Sequence, residues 1–153
     1  MASILKSGLP VAICSDHAGF EVKKHIISYL TAQGIAVKDF GTDSEASCDY
    51  PDYAHPCATA VESGRCYPGI AVCGTGEGMA MTLNKHQGIR AALCWDKPIA
   101  QLAREHNDAN VLVLPGRFIT PQKAIELVDT FFNTDFLGGR HQRRINKIPL
   151  PQK

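Results

Sequence analysis

The chain has 153 residues, 44% of them hydrophobic and 20% charged, with a formal net charge of +1. That length and balance fit one globular domain with its own core, and the near-zero charge offers no broad electrostatic case for nucleic acid or a membrane surface. No apolar run approaches the roughly 20 residues that span a bilayer. The opening residues lack the basic-then-apolar pattern of a signal peptide, so neither a span nor a leader is expected.

In chain order, residues 10–14 (Pro-Val-Ala-Ile-Cys) read as a buried strand that breaks at Ser15-Asp16-His17-Ala18-Gly19. A helix is expected over 20–33, with Val22, Ile26, Ile27 and Leu30 as its apolar stripe and Gly34 as its stop. Residues 35–40 make a second strand. A polar, turn-rich connection over 41–56 follows, long enough to carry function, and then a helix over 54–63. Residues 69–73 are the third strand, running into Gly74-Thr75-Gly76-Glu77-Gly78 and a helix that ends near Asn84-Lys85-His86. A strand at 89–94, a helix at 97–106 and a strand at 111–114 come next. Thr120 then caps a helix with Pro121 at its first position. The end of the chain reads as a basic, Pro-punctuated tail. Alternating strands and helices predict an α/β fold: a Rossmann-like, doubly wound parallel sheet in a three-layer α-β-α sandwich. A single domain over 1–153 is expected.

Six cysteines raise the question of three disulfides, but no C-x-x-C pair and no zinc spacing exists, and Cys14, Cys73 and Cys94 each close an apolar run. Reduced thiols, no metal and a cytoplasmic setting are expected.

The stretch that carries chemistry is Cys73 with its glycine loop. Glycines let the backbone turn sharply and bring N–H groups close to a ligand, and a helix start adds unpaired donors for an anion or a developing oxyanion. The spacing matches neither the dinucleotide fingerprint nor the P-loop. By itself the loop fits equally a buried structural cysteine at a strand-to-helix turn. Carboxyl ends of parallel strands share one edge, so Asp16, His17, Cys73 and Arg117 belong to one rim. His106 and Asn107 precede a strand and so stand at the other end. Reaching that rim within one subunit is awkward, whereas a neighbouring subunit could supply them, and the same holds for Arg140 and Arg144 in the tail.

Seven segments together resemble ribose-5-phosphate isomerase B, a family that includes the subunits of galactose-6-phosphate isomerase. They are Cys14-Ser15-Asp16-His17-Ala18-Gly19, Asp49-Tyr50-Pro51, Cys73-Gly74-Thr75-Gly76-x-Gly78, Asn84-Lys85, Gly88-Ile89-Arg90-Ala91, Glu105-His106-Asn107-Asp108-x-Asn110 and Gly138-Gly139-Arg140-His141. The resemblance runs in order from about residue 11 to residue 145. It implies a cofactor-free, metal-independent aldose–ketose isomerase of the pentose phosphate pathway. It also implies a homodimer or tetramer with shared active sites, the tail at 136–153 reaching a neighbouring subunit.

By that resemblance Cys73 is the base, His106 opens the sugar ring, and Thr75 steers the thiolate or a substrate oxygen. Amides from Gly74, Gly76 and Gly78 hold the enediolate oxygen. Arg117, Arg140, Arg144 and His17 take the phosphate, and Asp16, Tyr50 and Asn107 contact sugar oxygens. A helix N-terminus is expected to lower the Cys73 thiol. One branch of the family uses a glutamate base at the position of Met79, which cannot accept a proton, so this chain resembles the cysteine branch. Glu77 reads as solvated and non-catalytic, and His141 is left without a role. The competing readings are a hexose 6-phosphate isomerase acting on allose or galactose 6-phosphate, a non-catalytic sugar-phosphate-binding module, and a cysteine hydrolase.

Overall fold

The computed structural model describes residues 3–5 and 7–152. Strands β1 (Val11–Ser15), β2 (Val37–Asp39), β3 (Gly69–Cys73), β4 (Ala91–Leu93) and β5 (Val111–Pro115) form one sheet in the order β2-β1-β3-β5-β4. Every pairing is parallel. The three central strands are buried at every position, as strands covered on both faces must be. The edge strands β2 and β4 keep only three residues each, shorter than the apolar runs predict, because an edge strand has a partner on one side alone.

Among the described residues there are six α-helices: α1 (Phe20–Ala32), α2 (Pro51–Glu62), α3 (Glu77–Leu83), α4 (Lys97–Asn107) and α5 (Pro121–Phe132), which cover the sheet, and α6 (Arg140–Ile145), which packs on α4. Strand residues alternate between two cores. Val11, Ile13, Ile70, Val72, Leu112 and Leu114 pack under α1, α4 and α5, while Ala12, Cys14, Ala71, Cys73, Val111 and Val113 pack under α2 and α3. This is the doubly wound α-β-α sandwich of the Rossmann type. Buried Leu127, Val128, Phe131 and Phe132 fix α5 to its face, each side chain contributing about 2 kcal/mol. That helix starts where Thr120 accepts the Lys123 N–H at 3.1 Å.

Two helices depart from the sequence reading. Helix α2 begins at Pro51 rather than at residue 54, with Tyr50 as its N-cap and Pro56 inside it. Proline suits a first helical position, where no N–H partner exists anyway. The tail is not irregular throughout: it forms α6, which buries His141 and Ile145 while its arginines stay exposed.

The connection after β2 is clamped to the end of β1. Ser15 N–H donates to the Gly41 carbonyl and Thr42 N–H to the Ser15 carbonyl, both at 2.7 Å. The wholly buried Lys23 ammonium donates to the Asp39 carboxylate at 2.7 Å and to the Thr42 carbonyl. A buried cation so paired is expensive to unpair, so this clamp holds the residues that lead into Asp16 and His17.

Candidate active site

Strands β1 and β3 are neighbours, yet the chain leaves β1 toward β2 and leaves β3 toward β4. That reversal opens a crevice at their carboxyl ends, where ligands of open α/β sheets bind. The strand ends meet there at close quarters. A Cβ on Gly19 would lie 2.5 Å from the Val72 carbonyl oxygen, and one on Gly116 would lie 3.3 Å from the Gly19 Cα. No side chain fits at Gly19 without a shift of the backbone, and at Gly116 a Cβ is crowded.

Cys73 is the last residue of β3 and is 4% exposed. Burial raises the Cys73 thiol and the nearby Asp16 carboxylate adds to it, while the neighbouring backbone N–H groups of Met79, Gly76 and Gly78 pull it down. The net direction is upward, which corrects the expectation of a lowered thiol. Helix α3 has only seven residues, so aimed amides do the stabilising rather than a long helix dipole. Gly76 caps α3 with φ +80°, a left-handed conformation glycine adopts freely. A Cβ there would meet the side chain of Leu93.

Tyr50 lies across the loop. A Cβ on Gly78 would sit 2.6 Å from its ring carbons. Arg117 lies over Gly74, where a Cβ would come within 3.3 Å of its guanidinium. The turns are tied together as well: Gly116 N–H donates to the Cys73 carbonyl at 2.8 Å and Arg117 N–H to the Gly74 carbonyl at 3.0 Å. Thr75 is exposed and its Oγ1 accepts the Glu77 N–H at 3.2 Å. Buried Asp16 accepts the Gly19 N–H at 3.1 Å. His17 accepts the Cys48 N–H at Nδ1, 3.2 Å away; the neutral ring then carries its proton on Nε2 and keeps a donor there. The Cys48 amide and the Met79 amide have no signature in the sequence, since any residue supplies a backbone N–H.

His106, Asn107, Arg140 and Arg144 stand elsewhere. Helix α4 runs back from the end of β4 to the start of β5, so its last turn lies at the amino edge of the sheet. Buried Arg104 and half-buried Arg90 both pair with Asp108, which has φ +45°, and fix that turn. The tail docks onto it: Leu137 N–H donates to the Glu105 carbonyl at 3.1 Å, and the His141 ring stacks on His106 with centroids 4.3 Å apart and planes at 12°. Arg140, Arg144 and Asn107 are exposed there. Nearby, a cavity of about 340 Å³ is lined by Asn84, Arg90, Asn107 and Ile148 among others. The residues expected at one site therefore fall into two groups on opposite edges of the sheet. A larger cavity of about 680 Å³, between the ends of α1 and α5 and the N-terminal turn, has no thiol, histidine or arginine in its lining. Among the described residues no three His, Cys, Asp or Glu side chains converge as a metal-ligand set.

A sequence profile described as Ribose/Galactose Isomerase matches residues 11–148. The chain belongs to that family. Its relatives include ribose-5-phosphate isomerase B of Escherichia coli K12, 42% identical over 138 residues that cover 90% of this chain and 93% of that protein. Among solved structures, the ribose 5-phosphate isomerase of Thermotoga maritima superposes with a TM-score of 0.91 at 52% identity, covering 92% of this chain and 97% of that one. The Mycoplasma genitalium ribose-5-phosphate isomerase B, solved with bound ribulose-5-phosphate, gives a TM-score of 0.87 at 44% identity, with 92% and 93% covered. The ribose/galactose isomerase fold thus spans nearly the whole chain, including α6, where the tail arginines lie.

Proposed function

We propose that this chain is an aldose–ketose isomerase that interconverts D-ribose 5-phosphate and D-ribulose 5-phosphate, as its relatives' names indicate for them. The observation that supports it is a thiol at the β1/β3 crevice with three backbone amides aimed at it. The reaction needs one proton moved from C2 to C1 and one from O2 to O1, with nothing gained or lost. The Cys73 thiolate removes the C2 proton, the C1 carbonyl oxygen takes up the electron pair, and an enediolate forms. Amides of the loop from Gly74 to Gly78 face the developing oxyanion, each well-aimed donor worth about 3 kcal/mol. The sulfur returns the proton to C1. His106 opens the furanose beforehand, and Asp16, Tyr50 and Asn107 hold sugar oxygens.

The phosphate calls for cations. Arg117 and His17 stand at the crevice, and the guanidinium groups of Arg140 and Arg144 suit phosphate oxygens through paired N–H donors. Because the last two lie with His106 on the other edge, we place the working site between two copies of the chain, each giving its crevice to one site and its tail to the other. Exposed Trp95 and Phe118, which follow the adjacent strands β4 and β5, provide apolar surface for such contact. Six free thiols suit a reducing, cytoplasmic setting.

Turnover of ribose 5-phosphate, allose 6-phosphate and galactose 6-phosphate, compared side by side, tests the reading. Ribose 5-phosphate is expected to give the highest kcat/KM, and Cys73→Ala is expected to bind it while losing turnover about 10³-fold. A hexose phosphate turned over faster reassigns the substrate. Full activity in Cys73→Ala removes the thiol from the mechanism.

A further inference from the structure

His141 has no part in the chemistry above, yet it is 9% exposed in a helix whose arginines are all exposed. Its ring makes a near-parallel stack on His106 at 4.3 Å. Among the described residues neither imidazole makes a side-chain hydrogen bond, so nothing of that kind fixes the orientation of His106. Stacking takes its place. Two flat rings in van der Waals contact cannot turn independently about χ2, while the ring edges that carry the nitrogens stay clear of the stack. Helix α6 is itself anchored by buried Ile145 and by the Leu137–Glu105 backbone bond. Arg140 and Arg144 project from the same six residues.

We infer that His141 is a positioning residue acting through His106. It holds the imidazole in the plane required to open the furanose. This rests on the isomerase reading. It adds a residue that touches no substrate and matters only to the ring-opening step.

Ribulose 5-phosphate, with O5 esterified, has no furanose form, which separates the two steps. Forward isomerisation of ribose 5-phosphate requires ring opening; exchange of a C1 hydrogen of ribulose 5-phosphate with D₂O, followed by NMR, requires only Cys73 and the enediolate. Three variants are compared with the parent: His141→Leu, which keeps apolar bulk without a flat face; His141→Phe, which keeps the face; and His106→Asn. His141→Leu is expected to lower forward kcat about 30-fold, within the range a misplaced catalytic group costs, with KM and the C1 exchange rate within about twofold of the parent. His141→Phe is expected to recover most of that loss. Should the Leu variant fail to fold, His141→Gln replaces it in the same comparison.

Forward kcat in His141→Leu equal to the parent's overturns the role, and so does a parallel fall of forward rate and exchange, or a Phe variant no better than Leu. His106→Asn separates the levels. If it keeps forward turnover, the ring-opening assignment itself is wrong; if it loses turnover while His141→Leu does not, only the positioning role falls.

Discussion

At Cys73 two effects oppose each other. Three amide N–H groups favour the thiolate, while burial and the Asp16 charge favour the thiol and prevail. The base works in its deprotonated form, so its share of active enzyme falls as pH drops through the folded thiol value, which burial holds above the ordinary thiol range. The expected pH profile of kcat/KM therefore climbs through neutrality into the alkaline range. A Cys73→Ser variant should lose that limb along with most of the rate. A plateau reached below pH 7 in the parent contradicts the assignment of the limb to this thiol. Cys94 and Cys14 offer no such poise: burial alone pushes Cys94 up to about 12, and Cys14 is raised by its hydrogen bond to Cys57 and by burial.

At the scale of elements, the glycine loop and the start of α2 form one unit, because Tyr50, which caps α2, lies on Gly78. Gly78→Ala must displace that ring, since a Cβ 2.6 Å from aromatic carbons is impossible. Tyr50 is 38% exposed and has room to swing outward. The cost in stability is expected to stay near 1 kcal/mol, while KM for ribose 5-phosphate rises about tenfold, the price of one sugar contact. Steady-state kinetics with a thermal melt checks both; an unchanged KM would remove Tyr50 from the substrate.

The element scale also shows what the sequence made legible. The central strands could be read because a strand buried on both faces is a short apolar run, as Gly69–Cys73 is. Its glycine loop could be read because the turn is local. The starts and ends of β2 and β4 could not, since edge pairing has no local signal. Helix α2 starts three residues before the predicted position because Tyr50-Pro51 sits in a turn-rich stretch, although a proline at the first helical position is fully compatible with a helix. Helix α6 was missed because only His141 and Ile145 of its six residues turn inward, too few for a visible period. The His106–His141 stack joins two helices distant in the chain, and no spacing rule announces it. The upward thiol shift escaped for a similar reason: glycine spacing reveals donors, but burial depends on what α2 and α3 place over the sulfur.

At the scale of the whole molecule, the account depends on two half-sites on opposite sheet edges that two copies bring together. The topology supports that proposal, because α4 carries His106 away from the rim that holds Cys73. Mixing two inactive proteins tests it directly. Cys73→Ala lacks the base but keeps His106, and His106→Asn has the reverse defect. Co-refolded in equal amounts, they should form mixed dimers in which one of the two sites is intact, returning about a quarter of parental activity with ribose 5-phosphate. Activity no higher than the sum of the two separate variants, in a mixture shown to contain mixed dimers, would contradict a site shared between copies.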